Sequence, residues 1–134
     1  MPYTAKIIHD GTGVHLVGEG CLTGSEMIER GKMVSEMVPD LSKISHFVID
    51  YSTVTDFDVS VVEMQTIAAN GWRVVDKIGH KMYSAVVAPK PLEYGMVRMY
   101  SSLNNHPHLV IQIFKSITEA ENWILKMLSL DSRI

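Results

Sequence analysis

Between Val48 and Met64 the sequence VIDYSTVTDFDVSVVEM gathers hydroxyls and carboxylates into a few positions: Ser52, Thr53, Thr55, Asp56, Asp58 and Ser60. Three kinds of chemistry use such a set. A hydroxyl at a helix start can accept a phosphoryl group, which the helix dipole and free amides favour. Clustered carboxylates can hold a hard cation such as Mg²⁺. The same side chains can also simply cap a helix, and Ser60 with Glu63 has capping-box spacing. Spacing favours capping for Ser60, and Asp58 has the same option near the helix dipole. Asp50 falls inside an apolar strand run whose side chains alternate, so nothing draws Asp50, Asp56 and Asp58 to one point. No metal is expected there.

Other residues could carry chemistry elsewhere. Tyr94 and Arg98 stand four apart in LEYGMVRMY and share a helix face. An arginine beside a tyrosine suits an anionic or aromatic group, although a solvated stacked pair is commoner. Gly95 between them implies either close packing on a sheet or room for a ligand. The six histidines include only one close pair, His106 and His108, and Cys21 is the single cysteine. Neither zinc spacing nor a local nucleophile signature is present, so surface or loop histidines, no cofactor and no enzyme activity are expected. The glycines of GTGVHLVGEG lie too early for a dinucleotide fingerprint. Nine methionines are many for this length; they fit either an ordinary core or an adaptable apolar cavity for a small ligand.

The elements that must position these groups follow from periodicity. Strands are expected near Ala5–Asp10, Val14–Gly18, His46–Tyr51, Met82–Val87 and Leu109–Phe114, the first two as a hairpin. Helical spacing follows Thr23, which with Glu26 has capping-box spacing, and Pro39 ends that helix. In the next helix Val61, Met64, Ile67, Ala68, Gly71, Trp72, Val75 and Ile78 line one face, with Arg73 and Lys77 opposite and Gly79 as the stop. Pro91 opens a third helix, with Leu92, Met96, Met99, Tyr100 and Leu103 on its inner face. Thr118 with Glu121 marks the fourth. The order ββαβαβαβα predicts an α/β fold: a small, mixed, mostly parallel sheet with an N-terminal β-hairpin and four helices.

Composition narrows the function classes. The 134 residues fit one domain, 1–134, and 46% hydrophobic with 20% charged residues describes a globular chain. A net charge of -3, without a basic run, argues against nucleic acid. No apolar run reaches a membrane span, and MPYTAKIIHDG lacks an apolar signal core, so a cytoplasmic protein is expected.

The segment FVIDYSTVTDFDVSVVEMQTIA, together with the element order, resembles the STAS domain of bacterial anti-anti-sigma factors (SpoIIAA-like). APKPLEYGMVRMY is similar to a segment in a branch of small bacterial SpoIIAA-like proteins. In the family an apolar strand ends in Asp, and a short loop leads to Asp-Ser-Ser-Gly at a helix start. Asp58 matches the loop aspartate and Ser60 the second serine. Val59 falls where the phosphorylated serine belongs, and Val61 replaces the glycine. Valine has no hydroxyl, so the resemblance implies the fold without the phosphoserine switch. It further implies a non-enzymatic regulatory module. Its protein partner, regulatory kinase-like or from a sigma pathway, would meet the turn at Thr55–Ser60 and the helix after it. Fold-level analogy to CRAL-TRIO lipid carriers gives the competing expectation, a carrier or sensor of a small apolar ligand. A homodimer is compatible with either.

Overall fold

The computed structural model describes residues 3–131. Its first two strands, β1 (Tyr3–Ile8) and β2 (Gly13–Thr23), form an antiparallel hairpin. A short 3₁₀ turn at His9–Gly11 reverses the chain, and all three of its residues take positive φ, 52°, 57° and 88°. Glycine adopts that region freely, and Asp and His are among the side chains that tolerate it. The first strand therefore stops at Ile8, short of the expected Asp10.

The rest alternates: α1 (Gly24–Met37), β3 (His46–Asp58), α2 (Val61–Ile78), β4 (Met82–Val87), α3 (Pro91–Leu103), β5 (Leu109–Phe114) and α4 (Ile117–Asp131). The sheet order is β1-β2-β3-β4-β5, parallel at every pairing except the hairpin. Each parallel step moves to the adjacent strand, so crossovers of one hand put α1, α2 and α3 on the same face. α4 covers the other face, where Ala120 and Ile124 pack with Val48, Tyr83, Ala85 and Val87. With helices on both sides, all six residues of β4 are buried.

Three sequence expectations need correction. The expected turn after Tyr51 is strand: β3 continues to Asp58, and Thr53–Asp58 pair with Glu19–Thr23 of a β2 that is longer than its sequence pattern suggested. Register shifts at Val17/Glu19 and Gly20/Cys21 bend this arm. Buried Tyr51 and Val54 lie three apart because these shifts interrupt the period of two, so neither the polar composition nor the spacing marks this stretch as strand.

The inner helix faces are also rotated from expectation. Ile67 is buried and Arg73 and Lys77 are exposed, as spacing requires, but Trp72 is 39% exposed and Val61 lies open. Trp72 stands at the stripe's edge and packs on the His106 ring, centroids 4.5 Å apart. In α3 the buried positions are Glu93 and Val97, while Leu92, Met99 and Leu103 face outward. Gly71 sets that rotation, since a Cβ there would overlap the Tyr100 hydroxyl. Finally, Ser116 rather than Thr118 caps α4, its Oγ accepting from Glu119 N at 3.2 Å.

His46 closes the base of the sheet. It is fully buried and occupies the space that a side chain at Gly13 would need. Its Nε2 lies 2.7 Å from His9 Nδ1 and its Nδ1 2.8 Å from Ser45 Oγ. Burial, with a smaller contribution from His9, pushes the His46 imidazole down to about 4 from the ordinary 6.5. The unfolded chain takes up this proton near pH 6.5, the folded chain only near pH 4. Stability is thus fully present above the higher value and declines toward the lower, by up to about 3 kcal/mol. Urea unfolding between those pH values should show this slope, and His46→Asn should flatten it while lowering stability at pH 7.

Candidate functional site

Thr23 and Asp58 are register partners, so the two strands of the arm deliver α1 and α2 side by side. Both helices start with the same device. Thr23 Oγ1 accepts from Glu26 N at 3.2 Å, and Thr23 N donates to Glu26 Oε1 at 2.9 Å. Ser60 Oγ accepts from Glu63 N at 3.1 Å, and Ser60 N donates to Glu63 Oε1 at 2.9 Å. The Glu63 carboxylate rests against Gly24, where any Cβ would overlap it. Ser60 is therefore a cap, whereas Asp58 is a strand residue and caps nothing.

Thr55, Asp56, Asp58 and Ser60 are all exposed along this arm. Asp56 Oδ1 accepts from Phe57 N at 2.8 Å, and Asp50 Oδ1 accepts from Ser52 N at 2.9 Å. The three carboxylates do not converge, and among the described residues no group of three such side chains is placed to hold a metal. Tyr94 and Arg98 do meet, with Arg98 Nη1 donating to Tyr94 Oη at 3.3 Å, but both are exposed on α3. Gly95 between them has open space around it, which removes close packing as its reason. α3 joins the arm through Lys90, whose Nζ donates to Val54 O at 3.1 Å. The histidines split: His106 is buried beside Trp72, its Nε2 3.4 Å from Asp76 Oδ1, while His108 is exposed in the same loop.

A second site lies beneath the helices. A cavity of about 460 Å³ opens between α1, α2, α3 and the sheet. Met27, Met64, Met82 and Met96 line it, so only part of the methionine excess serves this space. Ligand pockets commonly span about 300–1,000 Å³ with a mostly apolar lining. Its polar corner is built by Arg30, reached from α1, and Tyr51 of β3, with Tyr3 behind. Arg30 Nη1 donates to Tyr51 Oη at 2.8 Å and lies 3.4 Å from Tyr3 Oη; its guanidinium stands 5.3 Å above the Tyr3 ring. Burial, then Tyr51, pushes the Tyr3 hydroxyl above the phenol range, and burial raises Tyr100 as well. Tyr3 and Tyr100 thus stay neutral, and among the described residues no carboxylate lies within ion-pair distance of Arg30. Sequence reasoning missed this corner. The signal was a cation within the apolar stripe Met27, Gly31, Val34 of the first helix.

No family profile and no curated protein matches the sequence. Solved structures do. The unphosphorylated anti-sigma factor antagonist SpoIIAA superimposes with a TM-score of 0.60 at 7% identity, over 92% of this chain and 97% of that one. The chain has a SpoIIAA-like fold. The phosphorylated SpoIIAA of Bacillus gives 0.56 at 12% identity, over 91% and 98%. A DUF3478-family protein with a SpoIIAA-like fold, from Shewanella loihica PV-4, gives 0.54 at 16%, over 90% of each chain. The likeness is one of overall fold, while the polar corner is read from this chain's own residues.

Because the Ser60 hydroxyl satisfies the otherwise free Glu63 amide at the start of α2, Ser60→Ala should lower stability by about 1 kcal/mol, measured by chemical denaturation.

Proposed function

We propose that this chain is a non-enzymatic, cytoplasmic ligand-binding module of the SpoIIAA-like type, folded as one domain, with its site in the cavity beneath α1–α3. The cavity itself carries this reading: about 460 Å³ of mostly apolar space, wide enough for a small molecule, beside an arginine. A core of this size has little reason to leave such a volume, since unfilled space forfeits dispersion contacts. The test uses Gly31, which lines the cavity and has nothing within 4 Å of the place where a Cβ would stand. Gly31→Phe should project into the cavity and keep the protein folded, with stability unchanged or raised by up to about 1 kcal/mol from helix propensity. The neutral fluorescent probe N-phenylnaphthylamine should brighten with the wild type and not with the variant. Equal brightening with both would remove this cavity as the binding site.

A second reading, a docking surface for a protein partner at Thr55–Ser60 and the start of α2, is supported by a separate observation. Val61 and Val62 are 64% and 70% exposed, side by side at the first turn of α2 next to the arm. A regulatory kinase-like or sigma-pathway protein is the partner class that the SpoIIAA-like fold suggests, without the phosphoserine switch, because Val59 has no hydroxyl. A photo-crosslinking residue at position 62 should yield one discrete adduct in cells, and the same residue at position 77 should not. Incubation with an anti-sigma-type kinase and ATP should leave the mass unchanged.

A further inference from the structure

Arg30 lines the inside of the cavity with no ion-pair partner among the described residues. A guanidinium carries five N–H donors in a planar fork and stays protonated at any accessible pH. In Arg30 one nitrogen, Nη1, serves Tyr51 and Tyr3. The other donors have no hydrogen-bond partner among the described residues, and they are not sealed away from the cavity that the side chain lines. A cation held by hydroxyl groups in an apolar enclosure attracts an anion more strongly than it would in water. The rim has the same sign. Arg73 and Lys77 stand exposed there against the carboxylate Glu36, while Lys32 pairs with Glu29 at 3.3 Å, on a chain whose net charge is -3. Beyond this corner the lining is mostly apolar, broken by Ser35, Asn70 and Ser84, with methionines that adjust to irregular shapes.

We propose that the cavity binds a monoanionic amphiphile: a carboxylate whose head pairs with Arg30 and Tyr51 and whose aliphatic tail lies along Met27, Met64 and Met82. The proposal rests on the cavity reading above. One negative charge matches one guanidinium, and a carboxylate fits its fork with two parallel hydrogen bonds. A dianionic phosphate would leave a second charge enclosed without a partner, which is costly. Tyr51 accepts from Arg30 at this corner and can give its own hydroxyl hydrogen to the carboxylate.

Four probes that share one tail isolate the head: dodecanoate, dodecanol, dodecyl phosphate and dodecyltrimethylammonium, titrated calorimetrically below their aggregation concentrations. Dodecanoate should bind most tightly, by about 10- to 100-fold over dodecanol, the range of hydrogen bonds to a charged group. Arg30→Met should weaken dodecanoate far more than dodecanol and so remove the preference between them. Arg30→Lys, which keeps the charge and loses the fork, should fall between, and it serves alone if the methionine variant does not fold. Equal binding of all four probes would overturn the carboxylate assignment and leave the cavity reading standing. Tightest binding of the phosphate or the ammonium would likewise overturn it. If no probe binds, the cavity reading fails and the proposal with it.

Discussion

The parallel ladder that runs from Gly13 beside His46 to Thr23 beside Asp58 fixes the positions of nearly everything else. At its base, His46 takes the place that glycine leaves at position 13. At its far end it releases α1 and α2 from adjacent strands, so their capped starts lie together. β4 pairs with β3 only from His46 to Asp50, and the arm beyond has a free edge on that side. An unpaired strand edge invites association, and this one is blunted by bulges, by Asp56 and Asp58, and by Lys90 donating to a free carbonyl at Val54.

Much of this was legible in the sequence. The hairpin, the parallel order and the capping boxes at Thr23 and Ser60 follow from glycine placement, the alternation of periods and residue pairs three apart. The arm was not, because Thr and Asp serve turns and strand edges equally well, and only pairing with β2 decides between them. The faces of α2 and α3 were legible to within one position. A stripe drawn from spacing cannot register that Gly71 admits Tyr100, the contact that turns Glu93 and Val97 inward and leaves Leu92 out. The sites fared less evenly. Ser60 was read correctly as a cap, and Tyr94 and Arg98 do touch, yet the Arg30 corner depends on Tyr3 and Tyr51, 48 residues apart, and no local pattern joins them.

The helix layer is packed unevenly, and glycines record it. At Gly24 and Gly71 neighbouring side chains occupy the space that a Cβ would take, so α1 meets α2 tightly at one end and α2 meets α3 tightly through Tyr100. At Gly31 the opposite holds, and nothing approaches. The volume under the helices thus lies along α1 beyond its tightly packed first turn, set in a fold that is otherwise close-packed around Leu16, Leu22 and Ile44.

That unevenness has a kinetic consequence. The rim residues Lys32 and Glu36 of α1 and Arg73 and Lys77 of α2 are long, exposed side chains, and no strand of the sheet separates the cavity from them. Their rotamers relax in picoseconds to nanoseconds, whereas opening a sheet ladder is a local-unfolding event, slower by orders of magnitude. Molecules small enough to pass the seam can exchange with solvent while every backbone hydrogen bond stays closed. Ligand entry and exit should then run far faster than isotope exchange of the β3 and β4 amides, because neither step requires those strands to open.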